Sequence, residues 1–131
     1  MSRNDLCICI HAIQHLACTK ALGMEDHTIS DTEITASSEW NNDEAAFQGR
    51  LHLQETALTS GGWGAEVNDS NQWLQVDLSS RYSKVTGVAT QGNGYDDEWV
   101  TAYKLQYSDD GVSFSYYIEP GETTDKVKST R

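Results

Sequence analysis

The segment Trp73-Leu74-Gln75-Val76-Asp77-Leu78 puts Leu74, Val76 and Leu78 on one face and Gln75 and Asp77 on the other. That period of two suits an extended strand and not a helix. The pattern continues through Lys84 to Gln91 with Val85, Val88 and Ala89, until Gly92-Asn93-Gly94 breaks the chain sharply. It returns from Trp99 to Tyr107, where Trp99, Thr101, Tyr103, Leu105 and Tyr107 share a face, and Ser108-Asp109-Asp110-Gly111 then turns the chain into Phe114 to Ile118. Upstream, Ile34-Thr35-Ala36-Ser37-Ser38 reads as a short strand. Trp40 to Gln54 reads as irregular loop with one helical turn around Ala45 to Phe47. No long stretch has a 3.6-residue period, and the only proline is Pro120. Short strands separated by turns predict an all-β sandwich or barrel. Beyond Pro120 the segment Gly121 to Arg131 is polar and has nothing to bury.

A chain of 131 residues has room for one domain that buries a core without help from metals or dense disulfides. No apolar run approaches the roughly 20 residues of a membrane helix. Nine basic residues against 20 acidic ones give a formal net charge of -11, which repels anionic polymers, so nucleic acid is not expected as a partner. The same field opposes docking on anionic phospholipid, where basic residues supply the attraction. Cys7, Cys9 and Cys18 all lie near the start of the chain, and the odd count leaves at least one thiol free or intermolecular. The apolar stretch Leu6 to Ile10 is short and is followed by His11, Gln14 and His15, a poor signal peptide. Residues 1–17 therefore read as a tail or fragment boundary. Cys7, Cys9, His11, His15 and Cys18 are the one cluster that suggests zinc, yet their spacing suits no structural zinc pattern well, and an unstructured tail is the favoured reading.

Several stretches, in order and spacing, resemble the coagulation factor V/VIII type C (discoidin) domain. They are Cys18 to Glu25, Ile34 to Ser38, Gly49-Arg50-Leu51, Gly62-Trp63-Gly64-Ala65, Asn71 to Leu78, Lys84 to Gly92, Trp99-Val100-Thr101, Tyr103 to Ser108 and Asp110-Gly111. The matching stretches run from Cys18 to about Gly121, so residues 18–131 are expected to form the domain. The resemblance implies an extracellular, jelly-roll-like antiparallel β-sandwich of the galactose-binding-domain type. It also implies eight strands, one disulfide joining the first and last strands, and ligand-binding loops at one end. The family domain continues for roughly forty residues past Arg131, a length still compatible with one domain, and that part carries the closing strands and the second cysteine. The expectation that follows is a domain incomplete at its C-terminus, with Cys18 unpartnered and open strand edges. Loss of such a disulfide costs about 2–5 kcal/mol, comparable with a whole domain's stability, so the isolated chain is expected to be marginal or aggregation-prone.

Three loops are candidate ligand contacts. In the first, Trp40, Asn41, Asn42 and Asp43 place an aromatic among hydrogen-bonding and acidic groups; Trp40 either stacks on a ligand or folds back onto the sandwich. In the second, Leu58 is a single apolar residue near the centre of Gln54 to Gly61. In the third, Tyr95, Asp96 and Asp97 precede Glu98. This acidic run carries the oxygen ligands Ca²⁺ prefers, but adjacent acids on extended backbone point to opposite faces, which favours a solvated turn over a calcium site. Trp63, Trp73 and Trp99 are expected to organise packing rather than contact ligand. Asn68-Asp69-Ser70 fits an N-glycosylation acceptor.

The chain has no Gly-x-Ser-x-Gly elbow and no His-Glu-x-x-His helix, and the adjacent acids Asp96 to Glu98 cannot be assigned opposed acid and base roles, so it is not expected to be an enzyme or to need a cofactor. The resemblance implies a binding module for cell-surface or matrix adhesion, with a glycan or a matrix or receptor protein as partner. The alternatives are a carbohydrate-binding appendage of a larger secreted enzyme and a phospholipid-headgroup binder; charge makes anionic lipid the weakest of the ligands.

Overall fold

A computed structural model describes residues 9–12, 21–78, 85–93, 98–124 and 127–129. Its strands are β1 Cys9–Ala12, β2 Ile34–Ala36, β3 Leu74–Val76, β4 Val85–Ala89, β5 Ala102–Lys104, β6 Gln106–Tyr107, β7 Ser115–Tyr116 and β8 Val127–Ser129. Three single turns of 3₁₀ helix, Asp31–Glu33, Asn42–Glu44 and Ala46–Gln48, are the only helical backbone among the described residues. Every ladder is antiparallel: β1 with β4, β2 with β3, β5 with β8, and β6 with β7. The chain is all-β, and the turn at Ala46–Gln48 falls where the sequence predicts one. Two compact units are present, residues 1–99 and 100–131.

In the first unit the β2–β3 register pairs Ile34 with Val76 and Ala36 with Leu74. Directly opposite residues of an antiparallel pair share a face, so the apolar side chains of the two short strands are gathered on one side. Backbone bonds extend the pairing at both ends, from Ser37 N to the Trp73 carbonyl (3.0 Å) and from Asp77 N to the Glu33 carbonyl (2.8 Å). Around Ile34 the core collects Leu22, Met24, Ile29, Ala45, Ala46, Trp63 and Ala65. Met24 and Ile29 belong to a loop closed by the bond from Ile29 N to the Gly23 carbonyl (3.0 Å). Gly23 has φ 119°, and a methyl group there would lie 2.5 Å from Thr28 Cβ, so only glycine fits this corner.

Arg50 also lies in this core and is only 2% exposed. Its guanidinium donates to the Met24 carbonyl (2.7 Å) and to Asp31 Oδ1 (2.6 Å). A buried charge is tolerated when paired and hydrogen-bonded; here the pairing also fastens the Gly23–Ile29 loop to the chain at residue 50.

In the second unit β6 and β7 form a hairpin, with Tyr117 N donating to the Leu105 carbonyl (2.9 Å). The turn is built by Asp110, whose Oδ1 accepts from Ser113 N (2.7 Å), Val112 N (2.8 Å) and Ser108 Oγ (2.9 Å). Led by the two backbone donors, these bonds hold the Asp110 carboxyl well below its ordinary value of 3.8. A carboxylate depressed on folding stabilises above its unfolded pKa, and that contribution fades as pH falls below it. Protection factors of the Val112 and Ser113 amides are therefore expected to be full near pH 6 and to drop below about pH 4. Asp110→Ala should show weak protection at both. Protection that stays constant from near neutrality into strong acid would contradict this account of the turn.

Several expectations change. Cys9–Ala12 lies within the stretch read as a tail, yet it pairs with Val85–Ala89; the alternating isoleucines of Cys7-Ile8-Cys9-Ile10 suit extended backbone. Val127–Ser129, in the polar end segment, pairs with Ala102–Lys104, because a ladder draws on backbone groups and needs no apolar side chain. The single strand expected from Trp99 to Tyr107 divides into β5 and β6, which have different partners. Its alternation persists: Tyr103 and Leu105 are half-buried, while Ala102, Lys104 and Gln106 are exposed. Tyr107, Phe114 and Tyr116 stay exposed, since a two-stranded ribbon cannot cover its own face.

Candidate functional site

Two loops of the first unit are built to stand side by side. In Trp40 to Gln48, Asn41 Oδ1 accepts from Asp43 N (2.8 Å) and Glu44 N (3.0 Å) and so caps the Asn42–Glu44 turn. Glu39 Oε1 accepts from Ala46 N (2.8 Å), at the start of the next turn. In the second loop Thr56 N donates to the Thr59 carbonyl (2.9 Å) and Leu58 N to Thr56 Oγ1 (3.1 Å), a tight turn with Ala57 and Leu58 at its tip. One backbone bond joins the two, Ser60 N to the Asp43 carbonyl (3.0 Å), and Gly64, just past the second loop, holds the first through Gly64 N to the Glu44 carbonyl (3.0 Å) and Trp40 N to the Gly64 carbonyl (2.7 Å). Beneath them the Trp63 ring is 2% exposed and donates from Nε1 to the Ser38 carbonyl (2.9 Å).

Trp40 is left 47% exposed and Leu58 77% exposed, with Asn42 and Asp43 also at the surface. About half of the Trp40 surface is covered and about half is open. Asn41 differs from expectation: its side-chain oxygen is committed to the cap. Asn41→Ala is expected to lose about 1 kcal/mol, the usual worth of an N-cap, measurable as a shift in the denaturation midpoint. An unchanged midpoint would show that the cap contributes nothing.

The third loop springs from the same region. Its anchors are joined by Asn93 N donating to the Glu98 carbonyl (2.9 Å). His52 N donates to Gln91 Oε1 (2.9 Å), and a methyl group on Gly61 would come within 3.9 Å of Asn93 Oδ1. Tyr95, Asp96 and Asp97 lie outside the described residues, as does Cys18, so the calcium reading and the disulfide are not placed. Among the described residues no group of three His, Cys, Asp or Glu side chains is arranged to hold a metal ion, and no helix is long and apolar enough to cross a membrane.

Of the three tryptophans expected to organise packing, Trp63 does so. Trp73 is 49% exposed and Trp99 43% exposed, and both readings are corrected. Trp73 immediately precedes β3, at the end of a two-stranded ladder. Trp99 follows the Asn93–Glu98 closure and packs its Cβ against Gly92, where an added methyl would sit 3.1 Å away; the ring beyond is half open. Asn68 lies in an exposed turn, where Gln72 Nε2 (2.9 Å) and Asn71 N (2.8 Å) bond the Asp69 carboxylate and hold its pKa below the ordinary value. Sequence reasoning missed Arg50, Ser60 and Gly64. Arg50 stands in the family-matching stretch Gly49-Arg50-Leu51 and is the only Lys or Arg between Lys20 and Arg81, but neither fact showed its buried pairing.

Paired loops with apolar tips suit contact with a partner rather than bond making. The sequence model of the F5/8 type C domain family matches residues 33–131. The chain is 39% identical over 116 residues to discoidin, CUB and LCCL domain-containing protein 2 of Rattus norvegicus, covering 84% of this chain and 15% of that protein. It is 38% identical over 115 residues to lactadherin of Rattus norvegicus, covering 84% and 26%. It is also 40% identical over 111 residues to coagulation factor VIII of Mus musculus, covering 81% and 5%. The chain belongs to the F5/8 type C (discoidin) domain family, whose fold is a β-sandwich and whose members are non-catalytic binding modules of extracellular proteins. It spans only 5% to 26% of the length of these three relatives.

Proposed function

We propose that this chain is an extracellular binding module that attaches its parent protein to a cell surface or matrix through the loops around Trp40, Leu58 and Tyr95. The observation that carries the reading is that two loops linked by the Ser60–Asp43 backbone bond leave Trp40 and Leu58 exposed. Presenting two apolar groups on a braced backbone lowers the ordering cost of binding. An indole can stack on a sugar or cover an apolar protein patch while its N–H stays wet. Tyr95, Asp96 and Asp97 of the third loop are further candidate contacts by residue type, and Asn68, which is exposed, is a candidate N-glycan acceptor.

The test is a panel of glycans, matrix proteins and phospholipid vesicles probed with the wild-type chain and with Trp40→Ala/Leu58→Ala. Retention on at least one surface, lost in the double variant at an unchanged circular dichroism spectrum, is the expected result. Retention that survives the double substitution would remove these loops from the function. Expression in a secreting eukaryotic cell should give a glycosidase-sensitive mobility shift that Asn68→Gln abolishes.

A further inference from the structure

We infer that the partner of the Trp40–Leu58 loops is a basic protein surface, one presenting Lys and Arg side chains around an apolar patch; this rests on the loop pair being the binding site. Between Lys20 and Arg81 the chain contains one Lys or Arg, Arg50. That residue is 2% exposed and is bonded to Asp31 and the Met24 carbonyl. Every formal charge displayed by residues 21–78, both loops included, is therefore negative. Asp43 is exposed on the first loop and Glu55 on the second, flanking the two apolar tips in sequence. Glu98 anchors the third loop beside Asn93.

An apolar contact flanked by one sign of charge is complementary to an apolar patch flanked by the other. The charges steer the encounter and reject like-charged surfaces. An anionic phospholipid headgroup or a sulfated polysaccharide would meet carboxylates with no exposed Lys or Arg of this segment to answer it. A neutral glycan could donate hydroxyl hydrogen bonds to them but would gain no charge attraction. The flanking acids thus separate a cationic protein partner from the other ligands the loop tips could accept.

Binding is measured by biolayer interferometry of the full chain against four probes. These are an immobilised Lys/Arg-rich peptide containing Leu and Tyr, its counterpart with Glu at every Lys and Arg, phosphatidylserine–phosphatidylcholine vesicles, and a neutral-glycan array. Only the basic peptide is expected to be retained. Its affinity should fall about tenfold between about 0.05 and about 0.3 M NaCl, because screening shortens the reach of exposed charges. Asp43→Asn/Glu55→Gln should weaken binding, and Asp43→Lys/Glu55→Lys should weaken it further, with the thermal transition of each variant checking the fold. Retention of vesicles or neutral glycan through Trp40 and Leu58, without the basic peptide, overturns this inference and leaves the loop site standing. Basic-peptide retention that ignores Trp40→Ala/Leu58→Ala overturns the loop site itself. Basic-peptide affinity indifferent to salt and to charge reversal overturns the inference alone.

Discussion

Replacing Trp63 with alanine is expected to lower the free energy of unfolding by about 3–5 kcal/mol, the range for truncating a fully buried large aromatic residue. Trp63 is 2% exposed and is the only aromatic residue among the buried members of the core. Trp63→Phe separates two contributions. It keeps most of the ring and removes the Nε1 bond to the Ser38 carbonyl, for a loss near 1–3 kcal/mol if that carbonyl is left unsatisfied. The effect should reach the binding loops, because the next residue, Gly64, holds both Trp40 N and the Glu44 carbonyl. Urea denaturation followed by fluorescence measures the stability. A loss under about 1 kcal/mol for Trp63→Ala would show that the ring is not the centre of the core.

Arg50→Ala is expected to cost about 2–5 kcal/mol, similar to other buried truncations, but for mixed reasons. The guanidinium bonds to Asp31 and to the Met24 carbonyl, and these are not equivalent. Asp31 is 55% exposed, so solvent screens the ion pair and its share should stay within about 1 kcal/mol. The Met24 carbonyl belongs to a buried residue and loses its guanidinium donor. A double-mutant cycle with Asp31→Ala should therefore show weak coupling, while Arg50→Lys should fail to rescue, because a single ammonium does not reproduce the planar fork. Strong coupling to Asp31 would reverse that apportionment.

The strands were legible wherever one face is apolar. The alternation from Leu74 to Leu78 located β3, and the Ser108–Gly111 turn located the β6–β7 hairpin. Strands held by backbone bonding with little apolar pattern, such as Val127–Ser129, left no such mark. Burial was less legible than strand position. Trp63, Trp73 and Trp99 look alike in sequence, yet only Trp63 is buried, beside Gly64, whose backbone bonds hold the first loop. The loop tips Trp40 and Leu58 could be proposed from residue type. What pairs them could not, because the bonds from Ser60 N, Gly64 N and Trp40 N use backbone atoms that no side chain announces. Arg50 was hidden for the opposite reason: a lone arginine in an acidic segment reads as a surface charge until its partners are placed.

The central claim is that the paired loops hold Trp40 and Leu58 out to solvent while sealing Trp63 beneath them. Hydroxyl-radical footprinting of the free chain tests this directly. Trp40 and Leu58 should oxidise rapidly, and Trp63 should react only as the protein unfolds. Equal reactivity of Trp40 and Trp63 in the folded protein, fast or slow, would contradict the account.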